Sequence, residues 1–292
     1  MSDVVLPLSS PIVVAFIAPD GQTAWALERD HKLRAWELKG PRLLRTLDID
    51  VEGFANTVSD DGRWLMLCDR MGLLSVWDTV TGERRSQLKL DYYVGGSAFS
   101  RDGRLLALAS GHTARVIDVA SPRHLYDLQI PPAGPGAMWF SPNDSVLGMA
   151  AGDSVRFYDA VTGKLISQNT DFLAEPLAID FVSDRHAVAT GAEKFVLLID
   201  VASGKAQARS KKMVETSFGL TASPNGKEIA VFLTKQDNFS ARMPIVFLDA
   251  ISLERKAEWM PPKAIAGATW MKDGHFLAAW QTADAWRISQ VR

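Results

Sequence analysis

One pattern of about 41 residues, written seven times, predicts an all-β chain: a seven-bladed β-propeller of four-stranded antiparallel blades. Three observations carry this. A turn string ends at positions 21, 62, 103, 144, 185, 226 and 274, giving five intervals of 41 and one of 48. Apolar runs of strand length flank every copy. No stretch keeps a sustained 3.6-residue period, so helix is minor.

The turn itself reads Ala18-Pro19-Asp20-Gly21, Ser59-Asp60-Asp61-Gly62 and Ser100-Arg101-Asp102-Gly103. Eroded copies follow: Ser141-Pro142-Asn143-Asp144, Val182-Ser183-Asp184-Arg185, Ser223-Pro224-Asn225-Gly226 and Met271-Lys272-Asp273-Gly274. Such residues supply the tight or left-handed backbone that joins two antiparallel strands. A second apolar run comes next, for example Trp64 to Cys68 or Leu105 to Ala109. After a polar hairpin, a third run ends in Trp36-Glu37, Trp77-Asp78, Ile117-Asp118, Tyr158-Asp159, Ile199-Asp200, Leu248-Asp249 or Trp286-Arg287. Turns at Thr81-Gly82, Thr162-Gly163 and Ser203-Gly204 then open a more polar fourth strand, such as Glu83 to Leu90.

Two columns inside the repeat fit a ring. Val14, Ala55, Gly96, Ala137, Ala178, Gly219 and Gly267 stand seven residues before each turn end, and six of them are Gly or Ala, as strands crowded at an axis require. Three residues on, Ile17, Val58, Phe99, Phe140, Phe181, Ala222 and Trp270 are mostly bulky enough to fill the space between blades. Seven copies fill residues 1–292 as one domain. The seventh stops too early for its own fourth strand, so Asp3-Val4-Val5-Leu6 is expected to supply it and close the ring, with Pro7 tolerated at the end of an edge strand.

Composition narrows the function. Thirty-two Lys and Arg against 34 Asp and Glu leave a net charge of −2, which gives no electrostatic reason to expect nucleic acid or an anionic membrane. Hydrophobic residues at 47% and charged residues at 23% suit an ordinary globular core. A single cysteine, Cys68, excludes an intramolecular disulfide and a thiolate metal cluster, and it reads as strand core. With no secretory signal and no long apolar stretch, a cytoplasmic protein, monomeric in isolation, is expected. Catalytic motifs are absent: there is no Gly-x-Ser-x-Gly, no His-Glu-x-x-His and no Gly-rich phosphate loop. No cofactor or metal is expected. His31 and His112 occupy equivalent hairpins but are separated by a blade.

The Ser-Pro-Asp-Gly-like turns, the Trp77-Asp78 dipeptide with its Asp counterparts, and the Thr-Gly turns resemble those of the WD40 β-propeller family over nearly the whole chain. Quinoprotein-like propellers share this look. The chain departs from the family in one respect: the Gly-His dipeptide before each innermost strand is missing in all seven copies, which puts the family's buried Asp–His–Ser/Thr–Trp network in question. The resemblance implies a non-enzymatic scaffold whose partner, a protein or peptide, docks where the loops entering each innermost strand meet the hairpins between second and third strands.

The entering loops hold Phe54, Tyr92, Tyr93, Pro131-Pro132, Phe172, Met213 and Met260-Pro261-Pro262. These would form an apolar contact patch, or turn inward to plug the channel. The one insertion, within Thr234 to Met243, adds Phe239 and Arg242 as partner-binding candidates. Charges around the hairpins, including Asp30, His31, Asp69 and Asp284, read as a solvated rim. Asp180, inside an apolar innermost strand, must face a water-filled channel or find a neighbour to pair with. The run Arg209-Ser210-Lys211-Lys212 reads as a solvated edge before a phosphate grip. Two other readings stand beside the scaffold: a small-ligand or metal-binding propeller enzyme of lactonase or quinoprotein type, and an architectural subunit of a larger assembly.

Overall fold

The computed structural model describes residues 3–18, 22–49, 55–91, 94–121, 123–130, 136–234, 244–282 and 285–292. Among them are 28 strands in seven four-stranded antiparallel sheets, and no helix. Blade 1 is built from Ile12–Ile17, Thr23–Glu28, Lys32–Glu37 and Arg42–Asp48. Blades 2, 3 and 4 span 55–89, 94–129 and 137–169. Blade 5 comprises Pro176–Phe181, His186–Gly191, Val196–Asp200 and Ala206–Arg209. Blade 6 comprises Thr216–Ala222, Glu228–Thr234, Ile245–Asp249 and Arg255–Trp259. Blade 7 has only three strands of its own, Ile265–Trp270, Phe276–Gln281 and Ala285–Gln290. Its fourth is the N-terminal strand Val4–Pro7, which pairs Leu6 with Trp286 and Val4 with Ile288.

Hydrogen bonding explains why the turn string recurs. In Ser59-Asp60-Asp61-Gly62 the Ser59 hydroxyl donates to Asp61 (2.6 Å) and accepts the Trp64 amide (2.9 Å), while Asp61 also accepts the Arg63 amide (2.9 Å). Gly62 then takes the left-handed backbone, φ 72°. Ser100 with Asp102, Ser141 with Asn143 and Ser223 with Asn225 repeat the arrangement. Blade 4 has Asp144 at the glycine position, with φ 60°, which a short polar side chain tolerates. On the same face of the blade, nearer its outer edge, the recurring aspartate caps the turn between third and fourth strands. Asp78 accepts the amides of Val80 (2.9 Å) and Thr81 (3.0 Å), Asp159 and Asp249 do the same in their blades, and Asp200 accepts the Ser203 amide.

Both sequence columns find their reason in packing. A Cβ on Gly96 would lie 2.1 Å from the Gly136 carbonyl oxygen, so the inner strand passes too close to the next blade to carry one. Ile17, Phe99, Phe140, Phe181 and Trp270 are buried and fill the layers between neighbouring sheets. Blades 7 and 1 share a core in the same way: Leu6, Trp286 and Ile288 pack with Ile17, Ala24 and Trp36, and the two indoles meet edge to face at 6.2 Å. The buried Trp77 Nε1–H donates to the hydroxyl of Ser75, two residues before it on the same strand, at 2.8 Å. Cys68 is buried strand core.

Candidate functional site

Antiparallel order sorts the connections onto two faces. Loops from each outer strand to the next inner strand lie with the second-to-third hairpins on one face, here called the entry face. Turns between first and second and between third and fourth strands lie on the other, the turn face.

On the entry face, Phe172 is buried at 3% exposure and stacks on Phe195, ring centroids 5.7 Å apart, so its ring fills the layer between blades 4 and 5. Met213 is half-buried against the core between blades 5 and 6, and its amide donates to the Lys194 carbonyl (2.6 Å). Phe54, Tyr92, Tyr93, Phe239, Arg242, the Pro131-Pro132 pair and the insertion over 235–243 lie outside the described residues, as does Asp284. Exposed apolar side chains of this face include Leu173 at 93% and Val214 at 84%, neighbours of the candidates Phe172 and Met213, together with Met71 and the candidate Met260.

Three more come from the ends of innermost strands. In blades 1, 5 and 6 the register shifts between Ile12 and Val14, Pro176 and Ala178, and Ser217 and Gly219. Each bulge steps the register past one residue and re-aims its side chain. Those residues are Val13, Leu177 and Phe218, all exposed. A bulge is invisible to an alternation pattern, and the sequence reading therefore missed them. The face combines a rigid sheet-end base with apolar side chains in water, the ingredients of a contact surface.

The charged hairpin of blade 1 on the same face is self-paired. Glu28 accepts the Ser9 and Ser10 amides (2.8 and 2.6 Å) and pairs with Arg34 (2.9 Å), which also holds Asp30 (2.6 Å). Arg34 keeps the Asp30 carboxyl below the usual carboxylate range. His31 and Lys194 take left-handed backbone at their hairpins, with φ of 59° and 66°. Among the described residues no group of three or more His, Cys, Asp or Glu is placed to hold a metal ion.

The turn face carries a polar cavity of about 370 Å³ at the converging inner strands, lined by Asp60, Arg101, Trp139, Asp180 and Lys272 among others. Asp180 is buried, and both its oxygens accept backbone amides: Oδ1 from Phe181 (2.6 Å) and Oδ2 from Ala222 of the next blade (2.8 Å). Burial nonetheless pushes its pKa up to about 7, with the Asp60 charge adding to the rise. Burial also raises Asp60, against the opposing pull of Arg101 at 3.0 Å. Neighbouring turns are tied alike, with Asp144 accepting the Arg101 and Asp102 amides (2.6 and 3.0 Å) and Asp184 accepting that of Asn143 (2.8 Å). These carboxylates fasten one blade to the next. Asp180 thus meets the pairing alternative anticipated from its strand position.

No protein-family model matches the sequence, and no curated protein matches it. Solved structures do match. The WD40 repeats of RRP9 superpose with a TM-score of 0.78 at 14% identity, covering 99% of this chain and 97% of that one. The chain has the fold of a WD40-repeat propeller. U3-55K gives a TM-score of 0.77 at 14% identity over 98% of both chains. A chain of a mitotic checkpoint complex gives 0.79 at 15% identity, covering 98% of this propeller and 90% of that chain. At such identities the likeness lies in the fold alone.

Proposed function

We propose that this propeller is a non-enzymatic scaffold that binds a protein or peptide partner across its entry face. The observation that carries the reading is the set of apolar side chains held in water there, with Leu173, Leu177 and Phe218 prominent. A rigid ring presenting them loses little conformational entropy on binding, which leaves more of the apolar contact energy for affinity. Among the structural relatives, one chain comes from a mitotic checkpoint complex, a multi-protein assembly, and this supports the scaffold class. The enzyme reading would need convergent reactive groups, whereas Asp180 has both oxygens engaged by backbone amides. The test is affinity capture from native lysate with the intact chain beside a Leu173→Asp/Leu177→Asp/Phe218→Asp variant. Loss of specific captured proteins from the variant is expected. Identical captured sets would remove the entry face as the binding surface.

A further inference from the structure

Three of the blade junctions are latched at the rim by the same contact. A side chain opposite the bulge in the outer strand reaches a carbonyl just after the capping aspartate of the next blade. Arg45 donates to Thr79 O (2.9 Å), Tyr126 to Ala160 O (2.6 Å) and Ser167 to Val201 O (2.5 Å). Between blades 5 and 6 the equivalent position, fixed by the pairing of Leu198 with Ala208, holds Ala208, which has no donor to offer; Ala257 of blade 6 likewise offers none, and the equivalent Ser86 hydroxyl of blade 2 makes no such bond.

The facing turn is altered as well. In blades 2, 4 and 5 its left-handed residue is Gly82, Gly163 or Gly204, and a Cβ there would lie 2.7, 2.7 and 2.2 Å from Leu47, Tyr126 and Gln168 of the preceding blade. Blade 6 has Leu253 instead, at φ 57°, a backbone that disfavours a branched side chain. Leu253 is buried in the core between blades 5 and 6, so a leucine occupies the space where the other junctions bring an outer strand against a bare glycine. The junction that combines an absent latch with this wedge carries a groove of about 620 Å³.

The groove has an apolar floor of Leu233, Val246, Leu248 and Leu253, all buried. Its rim holds Arg209, Lys211, Lys212 and Arg255 against a single acid, Glu254, in a protein whose net charge is −2. Arg209 lies over the Phe195 ring (3.6 Å) and Arg255 pairs with Glu258. Lys211 and Lys212 have no acidic partner among the described residues, and both are exposed. Local charge opposite in sign to that of the whole molecule selects an acidic occupant, and the apolar floor selects one with large apolar side chains.

We infer that this groove binds an extended peptide segment of a partner protein in which acidic residues flank one or more large apolar side chains. Its lining reaches Met213 and Val214 of the entry face, while Leu173, Leu177 and Phe218 lie outside it. The probe is a phage-displayed random dodecapeptide library panned on the full chain, with enriched clones re-tested on Lys211→Glu/Lys212→Glu and on Leu253→Gly. Leu253→Gly restores the turn glycine and removes the wedge, and thermal unfolding checks that both variants fold. Clones combining Asp or Glu with Leu, Ile, Phe or Trp are expected, and as synthetic labelled peptides they should lose at least tenfold in Kd on either variant. Raising salt should weaken them, while the entry-face triple variant should leave them unchanged. Enriched clones without acidic residues, clones indifferent to both variants, or no clone that depends on Lys211 and Lys212 would overturn the inference. A failure of this kind leaves the entry-face capture result unaffected, so the two readings fail separately.

Discussion

Leu6 lies on a strand of four residues, yet the geometry assigns it a large share of the stability. The side chain is fully buried, paired in register with Trp286 and packed with Ile17 and Trp36 of blade 1. Truncating a buried leucine to alanine removes transfer free energy and leaves a cavity, together about 2–5 kcal/mol. Val5, the next residue back, is exposed, and Val5→Ala should change stability by less than about 1 kcal/mol. Deleting residues 1–8 goes further: it removes the whole pairing with the last strand of blade 7 and uncovers the core shared by blades 7 and 1. Its effect should exceed that of Leu6→Ala, a major part of the about 5–15 kcal/mol that holds a typical domain folded. Equilibrium urea unfolding followed by tryptophan fluorescence reads this directly, since Trp36 and Trp286 meet at that junction. The expected order of midpoints is wild type and Val5→Ala together, Leu6→Ala lower, and the deletion lowest. A deletion variant that melts with the wild type would refute the role given to this strand in holding first and last blades together.

Other consequences are equally open to measurement. Asp180 has a folded pKa raised to about 7 from 3.8, so its stabilising contribution is complete below the unfolded value and lost as pH rises through the folded one. At about 1.36 kcal/mol per pKa unit, wild type should lose roughly 4 kcal/mol relative to Asp180→Asn between pH 4 and pH 9. Parallel urea-midpoint profiles for the two proteins would sink that account. Gly96→Ala places a methyl against the Gly136 carbonyl and should destabilise by about 1–3 kcal/mol, whereas Gly40→Ala, with nothing within 4 Å of the new atom, should not. Ser75→Ala orphans the buried Trp77 indole N–H and should lower stability by about 1–3 kcal/mol in the same assay.

The fold was legible because each blade repeats a local necessity. A serine hydroxyl organising an Asx turn, an aspartate capping the next turn, and small residues at a crowded axis act within a few residues or recur at fixed spacing, so a single chain displays them. The strand donated to blade 7 was legible for the same reason, as a remainder in the count: Asp3 to Leu6 had no other place in the repeat. The contact surface was less so. Phe172 looked like a presented aromatic, but its size and apolarity draw it into the layer between blades, and the exposed position falls to Leu173 beside it.

By itself, then, the sequence determined seven antiparallel blades, the identity of their turns, and the pairing of an N-terminal strand with the last blade. Tertiary structure decided what depends on distances between blades. Bulges at Val13, Leu177 and Phe218 turned apolar side chains outward. Asp180 found the amide of Ala222 in the next blade. Ala208 and Leu253, unremarkable in the chain, became a missing latch and a wedge at one junction. Side-chain period and turn chemistry are local and leave a trace in one strand of text; the gap between two sheets is a property of both, and only their packing sets it.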